Sequence, residues 1–202
     1  MTGGIGSGKS TATAFLAELG AAVVSADELV HHLLEEQAII ERVERHFGGD
    51  VLEEEQVDRP SLARIVFNDA GELVWLESLL HPHVKRLIED WARGQEARRP
   101  RPPLLVAEVP LLFETGMADL FDYILLVTAP EAARRRRLTA KVTAEEFARR
   151  AARQLPEDEK AERSDFVVEN VGSREGLKRY VGQIYATILA EGVRRDDSPP
   201  SG

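Results

Sequence analysis

Apolar positions along this chain follow helical and strand-like patterns in alternation. From Gly8 to Leu19, Phe15, Leu16 and Leu19 fall at helical spacing, and Gly20 marks a stop. Ala21 to Ser25 is short, apolar and partly β-branched, which predicts a buried parallel strand. Residues 28–95 are almost wholly helical in pattern. Leu29, Val30, Leu33 and Leu34 make one amphipathic face, and Ile39, Ile40, Val43 and Phe47 make another. Gly48-Gly49-Asp50 reads as a turn, and Pro60 suits the first turn of a further helix. Leu73, Val74, Leu76, Leu79 and Leu80 then lead to His81-Pro82-His83. So long a helical stretch between strands predicts an inserted substrate-binding subdomain. After a connector rich in proline and arginine (97–103), strands are predicted at Leu104 to Ala107, Tyr123 to Val127 and Phe166 to Val168. A closing helix is predicted at 173–191, with Leu177, Val181, Ile184, Tyr185 and Ile188 at core spacing. The polar tail from 193 is expected to be disordered. Strands alternating with helices predict an α/β fold around a parallel sheet.

Ahead of the first helical pattern stands Gly3-Gly4-Ile5-Gly6-Ser7-Gly8-Lys9-Ser10-Thr11, which fits the P-loop pattern G-x-x-x-x-G-K-[ST]. Glycines let the backbone take positive φ and lie close to a phosphate. Successive N–H groups then form a concavity for anions, reinforced by the N-terminus of the helix that follows. Lys9 suits the β- and γ-phosphates of ATP, and the Ser10 hydroxyl suits Mg²⁺. Only Met1 and Thr2 precede Gly3, whereas a P-loop normally follows a buried strand. The expectation is therefore a sheet without its first strand, either because the true start lies upstream or because the central strand is lost. A chain of that kind is expected to fold poorly and to show weak activity.

Other acidic residues fall where ligands bind in such folds, just past the carboxyl ends of strands. Asp27 follows the first predicted strand; it suits either a general base or a helix N-cap, and position alone leaves both open. Glu108 follows the next strand, where a carboxylate holds Mg²⁺ directly or through water. Arg134 to Arg137 spread around a helix, so only one or two can face a ligand. The charged segment 139–156, with Thr143 and Glu146 in capping-box register, reads as a lid. His81 and His83 are spaced wrongly for one helical face, which disfavours a metal site.

Composition narrows the function further. The net charge of −9 argues against general nucleic-acid binding, and the absence of cysteine excludes disulfides and thiolate metal sites. No apolar run reaches the length of a membrane span and no secretory signal is visible, so a cytoplasmic protein without a membrane partner is expected.

The landmarks together resemble the dephospho-coenzyme A kinase family. They are the stretch from Thr2 to Thr11, Ala26-Asp27, Leu79-Leu80-His81-Pro82, Val109-Pro110-Leu111-Leu112-Phe113-Glu114, Gln154-Leu155-Pro156 with Lys160, and Asp165-Phe166-Val167-Val168 with Asn170. The resemblance runs from Thr2 to about Leu189 and implies a three-layer P-loop kinase with a five-stranded parallel sheet. The core would comprise 1–27 and 96–192, the helical substrate subdomain 28–95, and the lid 139–156. It implies transfer of the γ-phosphoryl of ATP, with Mg²⁺, to the ribose 3′-hydroxyl of dephospho-CoA; a monomer is expected. It places Asp27 as the base, Lys9 and Arg150 on the phosphates, and Asn170 near the adenine. His81, Pro110, Leu111 and Glu114 fall near the acceptor. Ser25, His31 and Lys141 stand where the family usually has aspartate, arginine and arginine. The alternatives are another small-molecule P-loop kinase, of the nucleoside monophosphate kinase type, or a nucleotide-binding P-loop protein with impaired activity. A guanine-selecting Asn-Lys-x-Asp is not found, which argues against a GTPase.

Overall fold

The structure is a computed structural model that describes residues 1–138 and 143–196 of the chain. It divides into two compact units, one made of residues 1–23 with 94–202 and the other of residues 24–93.

In the first unit, helix α1 (Lys9–Glu18) opens at Gly8, whose φ of 103° lies in the left-handed region. Its apolar face, Ala12, Phe15 and Leu16, is buried with Val106, Leu125, Val127, Val168, Leu177 and Val181. Strand β1 (Ala22–Ser25) follows, and the second unit begins within it, at Val24. There α2 (Ala26–Leu33), α3 (Gln37–Phe47), the short strands β2 (Leu52–Glu53) and β3 (Gln56–Val57), α4 (Arg59–Val66) and α5 (Ala70–Glu96) follow in turn. The antiparallel β2–β3 hairpin was not expected. Its two turn residues, Glu54 and Glu55, take positive φ, as a tight hairpin turn requires, but lack the Asn-Gly signature that announces one. α5 runs through Pro82 without a break, so His81-Pro82-His83 lies inside a helix of 27 residues.

The chain returns to the first unit through β4 (Leu105–Glu108), β5 (Leu125–Thr128), α6 (Glu131–Leu138), α7 (Ala144–Ala152), α8 (Glu157–Glu162), β6 (Phe166–Glu169) and α9 (Arg174–Asp196). β1 pairs with β4, and β5 pairs with β6 in parallel. α9 packs along α1, where Lys178 meets Glu18 at 2.6 Å and the Tyr185 hydroxyl donates to Leu19 O at 2.9 Å. The α9 backbone is helical to Asp196, further than the tail expected from 193; residues 197–202 lie outside the described residues. Among the described residues, no helix is long and apolar enough to cross a membrane.

Among the described residues the first element is α1, so no strand stands ahead of the P-loop, as expected; two residues nonetheless take up strand-like bonds there. The dipeptide Met1-Thr2 is bonded on both sides. Thr2 forms a parallel bridge with Leu126, receiving Val127 N–H and donating to Leu125 O, both at 2.9 Å. On the other side Val109 N–H donates to Met1 O at 2.9 Å, and the Met1 amine donates to Ala107 O at 2.6 Å. Both residues are buried.

Candidate active site

Two glycines set the shape of the loop. Gly3 leaves the dipeptide at φ 149°, and a Cβ built on it would lie 2.1 Å from Val127 O. Gly8 turns the chain into α1, and a Cβ there would lie 2.3 Å from the Asn170 amide nitrogen. Neither position accepts a side chain without moving backbone or displacing Asn170. The first N–H groups of α1, as at any helix start, lack acceptors within the helix and favour an anion. Lys9 is buried and folds back over the loop, its Nζ donating to Gly3 O at 2.9 Å and Gly4 O at 3.2 Å.

Glu108, at the carboxyl end of β4, lies against the first turns of α1. Its Oε1 accepts from the Ser10 hydroxyl at 3.1 Å and its Oε2 from the Thr13 hydroxyl at 3.0 Å. Lys9 O, also 3.0 Å from Thr13 Oγ1, competes for that single hydroxyl proton. The group is a set of hard oxygen donors, the kind that suits Mg²⁺. Burial pulls the Met1 amine down to about 5; the Glu108 charge opposes that shift and the Lys9 charge adds to it.

The loop's far side is strapped by α6 and the end of β6. Arg137 donates to Gly6 O at 3.2 Å, Ser7 O at 3.1 Å and Asn170 O at 2.8 Å. The Asn170 amide donates to Ser7 O at 2.7 Å. Arg134, three residues before Arg137 and so on the same helical face, stands 2.6 Å from where a Gly4 Cβ would be. Two of the four consecutive arginines thus face the loop. Arg135 instead pairs with Glu131 and covers the Phe147 ring.

The loop after β4 and the segment after α7 complete this side. Pro110 O accepts from Thr2 Oγ1 and from the Gln154 amide, both at 3.3 Å, and Leu111 O accepts from the Thr115 hydroxyl at 2.7 Å. Gln154 also reaches Gly3 O at 3.4 Å. Glu114 Oε1 accepts from Leu155 N–H at 2.7 Å and pairs with Lys160 Nζ at 3.1 Å; Lys160 is 1% exposed. Thr143 caps α7 by accepting from Glu146 N–H at 3.1 Å. The Glu146 carboxylate is engaged with Arg150, which is exposed. Lys141 lies outside the described residues.

In the other unit, Ser25 is the N-cap of α2, accepting from Glu28 N–H at 3.4 Å. Asp27 sits exposed in the first turn, so the N-cap reading of Asp27 is corrected: the cap is already filled by the residue that stands in place of an aspartate. His31, one turn on, meets Arg59 with 2.6 Å between Nε2 and Nη2. His81 is half-buried in α5.

Sequence reasoning missed Thr13, Arg59 and the loop contact of Gln154, and it left open which of Arg134 to Arg137 face the loop. Thr13 was signalled only by its place one turn after Lys9. The others come from elements distant in sequence, and periodicity carries no information on such pairings.

Comparison with known proteins supplies the family. The dephospho-CoA kinase family model matches residues 1–175. A dephospho-CoA kinase from Symbiobacterium thermophilum is 40% identical across 100% of this chain and 84% of its own length. One from Protochlamydia amoebophila is 40% identical across 93% of this chain and 94% of its own. Among solved structures, a Thermus thermophilus protein superimposes with a TM-score of 0.78 at 38% identity, over 92% of this chain and 94% of that one. Dephospho-CoA kinase from Campylobacter jejuni superimposes with a TM-score of 0.70 at 26% identity, over 95% and 96%. A buried P-loop lysine, a serine and carboxylate paired beside it, and a match along the greater part of the chain lead to one assignment: this protein belongs to the dephospho-CoA kinase family.

Proposed function

We propose that the chain transfers the γ-phosphoryl group of ATP to the ribose 3′-hydroxyl of dephospho-CoA, giving coenzyme A and ADP. The observation that carries the reading is the built phosphate cradle: left-handed Gly8, Lys9 folded onto the Gly3 and Gly4 carbonyls, and Ser10 against Glu108. Family membership supplies the acceptor.

Phosphoryl transfer asks for in-line positioning and for charge on the equatorial oxygens. On the donor side, Gly3, Gly4, Ile5, Gly6, Ser7, Gly8 and Thr11 wrap the phosphates. Lys9 exchanges two loop carbonyls for β- and γ-phosphate oxygens. Ser10 and Glu108 are the residues that would hold Mg²⁺, with Thr13 fixing the second carboxylate oxygen. When bound, Mg²⁺ neutralises charge that builds on the phosphates. Asn170, held to Ser7 O, borders the adenine. Arg150 reaches the phosphates after leaving Glu146; an exposed pair one turn apart holds it by only about 0.3–0.5 kcal/mol, so the exchange costs little. Residues 139–156 act as the lid.

On the acceptor side, Asp27 takes the proton of the 3′-hydroxyl, and its freedom from capping duty leaves the carboxylate available. His81, Pro110, Leu111 and Glu114 border the acceptor. Of these, Glu114 acts through Leu155 and Lys160, positioning the segment that follows the lid helix. The two strand pairs with Met1-Thr2 between them serve as one five-stranded parallel sheet, ordered β1, β4, dipeptide, β5, β6.

The test is ADP release with Mg·ATP and dephospho-CoA, run beside AMP, shikimate and no-acceptor controls. Turnover with dephospho-CoA alone is expected, and Asp27→Asn should lower kcat by about a hundredfold or more while the ATP KM holds. Phosphorylation of AMP in preference to dephospho-CoA would overturn the reading.

A further inference from the structure

We infer that Arg59, held by His31, binds the 5′-diphosphate of the acceptor nucleotide and so places its ribose hydroxyl at Asp27; the inference rests on the acceptor proposed above. Arg59 is exposed and opens α4, the end of a helix where the macrodipole disfavours a cation. No acidic residue accompanies it in that first turn, and among the described residues no carboxylate pairs with it. Local stability therefore gives no reason for an arginine here. Its polar partner is the His31 ring, 2.6 Å away. A guanidinium can only donate, so in this contact the His31 ring nitrogen accepts. The imidazole orients the fork without cancelling its charge, and most of its N–H donors stay available to an anion.

Position does the rest. His31 lies four residues after Asp27, so both occupy one face of α2, a single turn apart. Dephospho-CoA carries its 5′-diphosphate on the same ribose that bears the reacting 3′-hydroxyl. The two groups are separated by the width of one sugar, a span that one helical turn matches. A planar fork suits phosphate oxygens in pairs, which a lysine does not. Arg59 is then a binding residue and His31 a positioning residue.

The experiment is steady-state kinetics on the full chain, varying dephospho-CoA and ATP separately, with adenosine as a competitor that keeps the hydroxyl but lacks the diphosphate. Arg59→Ala should raise the KM for dephospho-CoA about tenfold or more, leaving the KM for ATP and inhibition by adenosine within about twofold. Arg59→Lys should recover part of the loss, since it keeps charge but not the fork. His31→Ala should show a smaller rise, and His31→Gln, whose amide oxygen accepts from Arg59, should reverse it. A KM for dephospho-CoA unchanged in Arg59→Ala, or an equal rise in both substrate KM values, overturns the inference while leaving the reaction intact. Absence of wild-type turnover with dephospho-CoA overturns the acceptor assignment and this inference with it.

Discussion

Gly8 shows how little freedom one residue has at this site. Its φ of 103° disfavours any side chain, and the space a Cβ would take is occupied by the Asn170 amide that holds Ser7 O. Gly8→Ala should therefore cost about 1–3 kcal/mol of stability from backbone strain, and more through displacement of Asn170. Thermal melts of Gly8→Ala and Gly8→Ala/Asn170→Ala separate the two effects. The double variant should regain no stability if strain dominates, and a melting temperature equal to wild type in Gly8→Ala would refute both. The glycine and the lysine were legible from spacing alone, because a phosphate cradle imposes its own sequence. Asn170 as the neighbour that excludes a side chain was not, since 162 residues separate the two positions in the chain.

Among the elements, α7 with the segment after it is tied to the core by one buried charge pair. Lys160 is 1% exposed and faces Glu114, whose Oε1 also holds Leu155 N–H. Removing one partner leaves the other buried without compensation, so Lys160→Ala should lose about 3–5 kcal/mol in urea unfolding. Glu114→Gln/Lys160→Met should be less destabilised than Lys160→Ala, because no unpaired charge remains; equal losses would show that packing, not charge, sets the cost. Helix and strand positions were largely legible from periodicity. The β2–β3 hairpin was not, because its Glu54-Glu55 turn lacks glycine and asparagine, and neither was the unbroken course of α5 through Pro82.

For the whole molecule, the dipeptide between β4 and β5 brings a titrating group into the core. The Met1 amine is buried, and its pKa falls from about 8 to about 5. Between those values the unfolded chain carries a proton that the folded chain lacks. Stability should then rise with pH, by at most about 1.4 kcal/mol per unit, from about pH 5 to pH 8 and level off above. Urea unfolding across this range measures the slope, and acetylation of the Met1 amine should abolish it. A flat profile with a free amine would show that the amine stays solvated.

The sequence by itself determined the alternation of strands and helices, the phosphate-binding loop, the carboxylate just past β1 and the one that ends β4. Each of these is written in local spacing, because periodicity, turn chemistry and glycine requirements act over a few residues. Only the tertiary structure decided that Met1-Thr2 bonds to residues of both the β4 and β5 segments, that Arg134 and Arg137 face the loop, and that Arg59 reaches His31. These contacts join elements far apart in the chain. Their energy comes from burial and from polar groups finding partners, which no local pattern encodes.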